Sequence, residues 1–266
     1  MASFSVVNNI AAVNAQANLA MTNIGLNRSM ARLTSGLRIN QSGDDAAGLA
    51  VANSHRSTVA VLTQGIRNAN DGLSVLQIKD GALNNISTLL DRLATLATQS
   101  ASASSSVNRT TLDLEFQDVL SEIDREASVA GLTASGGFSV FVSSNGSNGS
   151  VGGTIGAADA TGLGIASLDV SSASNAATAL TTLATAVTSL GSVQASVGTI
   201  ENRLMYAVNL AQSQIVNTQA AESRIRDANI AEESSSLTRY QILTQSGIAV
   251  LAQANQSSSA VLSLLR

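Results

Sequence analysis

Apolar residues recur at helical spacing along most of the chain, and the points where that spacing shifts or stops divide it into segments. Ile10, Val13, Ala17, Ala20 and Ile24 alternate in steps of three and four, the stripe of an amphipathic helix. Met30, Leu33 and Leu37 continue on a shifted phase. A turn-rich stretch from Thr34-Ser35-Gly36 to Gln41-Ser42-Gly43 interrupts the pattern, and Asp44 or Ser42 is the expected N-cap of the next helix. A long seam then reads Leu62, Ile66, Ala69, Leu73, Leu76, Asp80, Leu83, Ile86, Leu90, Leu93 and Ala97, with Asp80 its one polar break. It covers 35 residues in ten steps, a mean of 3.5, the period of a left-handed supercoil against a partner helix. A Ser-rich turn at 102–106 reverses the chain, and a shorter helix follows with Leu112, Phe116, Val119 and Ile123 inward.

Residues 131–174 change character, holding 10 of the 20 glycines and only two charged residues, Asp159 and Asp169. Phe138 to Val142 alternates at period two and reads as a strand, and Asn145-Gly146 and Asn148-Gly149 are turn signals, so a small β-hairpin region is expected. The helical pattern resumes near Asn175 with Leu180, Leu183, Val187, Leu190, Val193, Val197, Ile200, Leu204, Val208, Ala211 and Ile215, again 35 residues in ten steps. A last helix from about Leu237 carries Leu243, Val250, Leu251, Ala254, Val261, Leu262 and Leu265. Two seams of equal span separated by a reversal can pair antiparallel. The expected fold is mainly α: an elongated antiparallel coiled-coil rod with paired terminal helices and a small β-hairpin region.

Charge placement sharpens this reading. The chain has no Pro, Cys or Trp, so nothing forces a helix break and no disulfide or thiolate site exists. Residues 1–27 and 240–265 contain no Asp, Glu, Lys or Arg, yet are dense in Asn, Gln, Ser and Thr. About a quarter of ordinary residues are charged, so neutral ends point to burial against other polypeptide. Neither end offers the roughly 20 continuous apolar residues of a membrane span, and Met1 to Leu19 has neither the basic start nor the apolar run of a cleaved signal. Membrane insertion and a cleaved leader are not expected. A net charge of −4, with 13 Arg and one Lys scattered singly, argues against nucleic-acid binding.

Catalytic equipment is missing. His55 is the one histidine and has no companion ligands, so no metal site is expected. Asp44 and Asp45 are adjacent and point apart on a helix, which suits capping better than acid–base chemistry. There is no phosphate loop, no His-Glu-x-x-His and no Gly-x-Ser-x-Gly. No enzyme activity and no cofactor are expected.

Residues 35–53 (SGLRINQSGDDAAGLAVAN), RNANDG at 67–72, EIDR at 122–125, ESRIRD at 222–227, QIL at 241–243, VLAQANQ at 250–256 and VLSLLR at 261–266 closely resemble bacterial flagellin. The resemblance covers about 1–130 and 175–266; residues 131–174 match no family motif. It implies a structural subunit that self-assembles into the hollow helical filament of the bacterial flagellum, for swimming. It also implies a division of the chain: 1–33 an inner-tube helix, 34–46 a linker, 47–130 outer-tube helices, 131–174 the hairpin region, 175–222 an outer-tube helix, 223–231 a linker and 232–266 the second inner-tube helix. Implied inter-subunit residues are Ile10, Val13, Ile24, Leu33, Leu243, Val250, Leu251, Val261, Leu262 and Leu265.

Further implications concern partners: the chain itself, a flagellar secretion chaperone, and the filament cap and hook-associated proteins. Type III export without signal cleavage and an extracellular location follow. A Toll-like innate immune receptor is also implied, its contact pattern matched at Arg92, Leu96, Gln99 and Glu115, although Asp91, Ala94 and Thr95 depart from the family pattern. The chain lacks the large variable outer domains of longer flagellins. The alternatives are a hook–filament junction protein, which shares the terminal design, or another secreted coiled-coil structural or adhesive protein. As a filament subunit the chain is expected to order its end segments, 1–33 and 232–266, only when neighbours cover them, whereas the secreted coiled-coil alternative would have ordered ends in solution.

Overall fold

Three- and four-residue spacing becomes helix over most of the chain, and glycines end two of the helices. The computed structural model describes residues 8–102, 108–143 and 149–264, with side chains to residue 257. Within these lie α1 (Ile10–Ser35), α2 (Ala46–Ala101), α3 (Arg109–Ala130), α4 (Ala173–Arg226) and α5 (Ile230–Leu264), with an antiparallel pair of strands, β1 (Gly136–Phe141) and β2 (Ser150–Ile155). The chain is mainly α, as the periodicity predicts. It forms two compact units, Met1–Ser57 with Asn217–Arg266, and Thr58–Val216.

The helix ends follow local chemistry. Asn9 Oδ1 accepts from the Ala12 N–H (3.0 Å) to start α1, and Gly36, at φ 71°, ends it with its N–H on the Arg32 carbonyl. The cap of α2 is Asp45, whose Oδ1 accepts from Gly48 N–H at 2.8 Å. This corrects the expected Asp44 or Ser42, because the Asp44 carboxylate is turned back into the 40–44 loop instead. Gly131, at φ 65°, ends α3, and Lys79 of α2 donates to the last carbonyls, Ala130 and Gly131, at 2.7 and 2.8 Å. Residues 103–106 of the expected turn, and Asn145, Gly146 and Asn148, lie outside the described residues.

In the Thr58–Val216 unit, α2 and α4 pack antiparallel: Gln194 Nε2 donates to Asn84 Oδ1 (3.3 Å), while Gly72 lies under Leu204. Leu76, Leu83, Leu90 and Leu93 of α2 meet Leu183, Leu190, Val197 and Leu204 of α4 in one core, with Phe116 and Ile123 of α3. Each such side chain contributes about 1.5–3 kcal/mol. One predicted seam position is wrong. Val187 is exposed and Ala186 is buried, since the seam steps from Leu183 by three and then by four to reach Leu190.

The stretch after the hairpin is a strap rather than more sheet. Its backbone lies along α3, where Asp124 Oδ1 accepts from Ala160 N–H and Asp113 Oδ1 from Val170 N–H, both at 2.8 Å, and Gln117 donates to the Leu168 carbonyl. Buried Ala158, Ile165 and Val170 hold it down, and the side-chain bonds satisfy backbone groups that burial would otherwise leave unpaired. The hairpin itself rests on bare helix: a Cβ at Gly65 would lie 1.8 Å from the Val142 carbonyl oxygen, and one at Gly72 would lie 2.6 Å from Val140. Asn68 and Arg203 fasten it from α2 and α4 by bonds to the Phe141 and Gly152 carbonyls.

Asp80, the polar break in the seam, faces a second carboxylate. Glu201 Oε1 on α4 is buried without a hydrogen-bond partner among the described residues. Burial, and then the Asp80 charge, push the Glu201 carboxyl above its ordinary 4.5.

Two outcomes are expected from this unit. Gly65→Ala should lift the hairpin and cost about 1–3 kcal/mol, whereas Gly81→Ala, on the same helix with open space around it, should add about 0.5–1 kcal/mol; circular-dichroism melts of the two variants check the contrast. Because the folded-state value of Glu201 is raised, its protonated form favours the fold, and that contribution is lost as pH climbs through the raised value. Glu201→Gln should therefore raise Tm at pH 7 and leave it nearly unchanged below 4.5.

Candidate assembly surface

In the unit of the two chain ends, α1 and α5 pack antiparallel. Asn9 Nδ2 donates to the Ala254 carbonyl (2.9 Å), Leu19 meets Gly247, and the Tyr240 ring lies over Gly25, where a Cβ would come within 2.6 Å. The contact uses one face of each helix: Ala12, Ala15, Leu19, Leu26, Ser29 and Leu33 on α1, and Leu237, Tyr240, Thr244, Gly247, Leu251 and Ala254 on α5, all buried or half-buried. Only Ala15 and Ser29 are fully buried, and no described side chain of α5 is. By contrast, ten residues of α4 are buried. The pair is weakly held by its own contacts.

The opposite side of α1 is apolar too. Ile10, Val13, Met21 and Ile24 are 61%, 62%, 71% and 61% exposed, and at 3.6 residues per turn they share the face turned away from Ala15 and Ser29. On α5, Ile242, Leu243, Ile248 and Val250 are exposed, spread over several faces. A helix with apolar residues on two opposite faces carries one face more than a single partner helix covers. Among the implied inter-subunit residues, Ile10, Val13, Ile24, Leu243 and Val250 stand on these free faces, whereas Leu33 and Leu251 turn into the α1·α5 contact. The side chains of Val261 and Leu262, and Leu265 altogether, lie outside the described residues. Met21 escapes the stripe read from sequence, although a second four-residue step from Ala17 reaches it.

The neutral part of α1 ends at a clamp. Asp44 accepts from the Asn40 and Gln41 N–H groups (3.2 and 3.3 Å) and lies 3.8 Å from both Arg28 Nε and Arg32 Nη2, its side chain 5% exposed. Burial works to raise the Asp44 carboxyl, but the two N–H groups, Arg32 and Arg28 together outweigh it and hold the group below its ordinary 3.8. Beside the clamp the two connections pair as a short ribbon: Leu37 bridges Asp227, Arg38 N–H donates to the Arg226 carbonyl (2.6 Å), and Ala228 N–H to the Gly36 carbonyl (2.9 Å).

The other candidate cluster is in the Thr58–Val216 unit. Arg92 is ion-paired with Glu115 across α2 and α3, both side chains largely exposed, and Gln99 is exposed. Leu96 is not available as a contact. It is 1% exposed, packed in the core, so its role is to hold α2 in place. Among the described residues no group of three His, Cys, Asp or Glu converges on a metal-sized site. By length and composition α4 could cross a membrane; ten of its residues, Leu183, Leu190, Val197 and Leu204 among them, lie in the core.

Residues 6–137 match the bacterial flagellin N-terminal helical region and residues 180–265 the bacterial flagellin C-terminal helical region. A flagellar filament 33 kDa core protein of Treponema phagedenis is 36% identical over 281 residues, covering 97% of this chain and 98% of the relative. The chain belongs to the bacterial flagellin family. A flagellin of Halalkalibacterium halodurans is 33% identical over 267 residues, covering 97% and 98%. A crystal structure of Bacillus cereus flagellin aligns with a TM-score of 0.45 at 28% identity, covering 59% of this chain and 94% of that one. This flagellin is a structural subunit of the flagellar filament, an extracellular polymer of such chains.

Asp44 gives the clamp a pH dependence of known sign. Its folded-state value is depressed, so its contribution is present at neutral pH and is lost as pH falls through that depressed value. Asp44→Asn should lower the thermal stability of the terminal unit at pH 7, and the gap from wild type should close below 3.8. Hydrogen exchange at the Asn40 and Gln41 amides, followed across pH, checks it.

Proposed function

We propose that this flagellin polymerises through the outward faces of α1 and α5, which neighbouring copies cover. One observation carries the reading: the exposed stripe Ile10, Val13, Met21 and Ile24, opposite the side that meets α5, in a stretch without a single charge. Burying such side chains against a neighbour contributes about 1.5–3 kcal/mol each. Ordering the backbone costs roughly 1–2 kcal/mol per residue. The two are close to balance for a pair with so few buried residues of its own, so the terminal segments, 1–33 and 232–266, take up stable helix when copies assemble. Growth on such terms is cooperative and needs a nucleus.

In the filament, 1–33 and 232–266 form the inner tube, while 47–130 and 175–222 form the outer tube with the 131–174 region, joined by the linkers 34–46 and 223–231. The C-terminal helix lines the channel, where its uncharged Gln, Asn and Ser side chains do not trap a charged chain in transit. The subunit leaves the cell through the flagellar type III apparatus without signal cleavage, guided by a secretion chaperone on its C-terminal segment, and is placed beneath the cap after the hook-associated proteins. Arg92, Gln99 and Glu115 form the exposed part of the Toll-like receptor contact, and a buried Leu96 weakens it. The subunit works by packing, without catalysis or cofactor.

Deleting residues 240–266 should leave the Thr58–Val216 unit folded by circular dichroism while abolishing sedimentable polymer. Ile24→Asp, which puts a charge on the stripe, should raise the concentration needed for seeded growth by roughly tenfold or more. Sedimentable polymer from the truncated chain at wild-type concentration would refute the proposed surface.

A further inference from the structure

The uncovered stripe contains one residue whose chemistry differs from its neighbours. Met21 is the most exposed of its members, at 71%, and stands between Val13 and Ile24 along the face. Its thioether is the group in that stripe that a mild two-electron oxidant attacks, and the chain has no cysteine to react first. The other described methionines stand elsewhere. Met30 is on the other side of α1 among Asn27, Thr34 and Asn40, where a polar oxygen meets polar company, and Met205 is on α4 in the other unit.

We infer that Met21 is an oxidation-sensitive control point for filament growth: as a thioether it lets the free subunit add to the polymer, and as a sulfoxide it blocks addition. This rests on the reading of the stripe as an inter-subunit surface. The reaction takes hydrogen peroxide. The sulfur lone pair attacks one peroxide oxygen, the O–O bond breaks, the second oxygen leaves as water after proton transfer, and the sulfur is oxidised by two electrons while the peroxide is reduced. The product is polar and chiral on a stripe whose other members, Ile10, Val13 and Ile24, are aliphatic, and burying its S=O against a neighbour's apolar surface is unfavourable. The device is selective for unassembled subunits: oxidant reaches the sulfur before a neighbour covers it and not afterwards. It is also reversible, since methionine sulfoxide is reduced enzymatically.

Purified subunits of the full chain, and filaments assembled from them, are treated with hydrogen peroxide, and peptide mass spectrometry measures oxygen uptake at each methionine. Elongation of the treated subunits on untreated filament seeds is followed by sedimentation. Wild-type subunits oxidised at Met21 should elongate roughly tenfold more slowly or worse, the factor expected when one thioether's burial energy is lost. Met21→Leu subunits should elongate at the untreated rate after the same exposure, and Met30→Leu and Met205→Leu subunits should remain sensitive. Met21→Gln should slow growth without oxidant, and methionine sulfoxide reductases should restore the oxidised wild type. Equal loss in treated Met21→Leu subunits would overturn the inference and leave the proposed surface standing. Oxidation of Met21 in assembled filaments as fast as in free subunits would show the stripe uncovered, and would overturn the surface and the inference together.

Discussion

Everything in the terminal unit depends on the mismatch between how much apolar surface α1 and α5 carry and how little their mutual contact covers. Two helices can hide only one face each from water when they meet as a pair. Here the pair meets through Leu19, Leu26, Leu33 and Tyr240, set among small residues, Ala12, Ala15, Gly25 and Gly247, which let the backbones approach but contribute little burial. A second set of large side chains, Ile10, Val13, Met21 and Ile24, is placed on the side the partner does not reach. Such an arrangement is poor for a monomer and suited to a polymer, because the energy that would have closed the subunit on itself is left for its neighbours. The Thr58–Val216 unit is the converse case. Its leucines point inward on α2 and α4, α3 closes the side with Phe116 and Ile123, and a strap of chain stitched by Asp113 and Asp124 covers α3 in turn.

Much of this is legible in the residues. The helices, the reversal and the hairpin follow from spacing, and the neutral ends motivate the proposed assembly surface. What spacing cannot decide is which partner a stripe meets. Ile10 to Ile24 reads as the seam of a helix pair, yet the side that meets α5 is the quieter set of Ala15, Ser29 and Leu33, and the phase shift after Ile24 marks the passage from one face to the other. Val187 and Ala186 illustrate the same blindness on a smaller scale: either satisfies a three-or-four-residue step, and only the partner helix selects the smaller. A likeness of motif puts Leu96 on a surface, but its own period places it with Leu93 and Ala97 in the core.

The strap at 156–172 has no periodic signal because it is held by single bonds at irregular intervals. Asp124 to Ala160 and Asp113 to Val170 join residues 36 and 57 apart in sequence. Neither aspartate differs in sequence from an ordinary solvated charge on α3. The same holds for Asp45 and Asp44, where neighbouring carboxylates do different work. One starts α2, the other turns back to meet two arginines. Glycine is more readable in hindsight than in advance. Gly65 and Gly72, one heptad apart on α2, look like weak points in a helix, and they are the bare track on which the hairpin lies.

On the proposed assembly surface, charge, scarce as it is in this chain, marks the border between what the subunit keeps and what it offers to copies of itself. Arg28 is the first charged residue from the N-terminus, and it is already engaged with Asp44, just where α1 stops being neutral. At the other end the last charged residue before the neutral stretch is Arg239, next to the Tyr240 that packs on Gly25. Inside those limits a charge would have to be desolvated each time a copy docks, at a cost of several kcal/mol if unpaired, and that cost would recur at every subunit of the polymer. Outside them a charge can be paired once, within the chain, as Asp44 is with Arg28 and Arg32. The neutrality of the ends is therefore a condition of repetition: an interface copied along a filament tolerates amides and hydroxyls, which can find a partner in either direction, far better than a fixed charge that needs the same counter-charge in every neighbour.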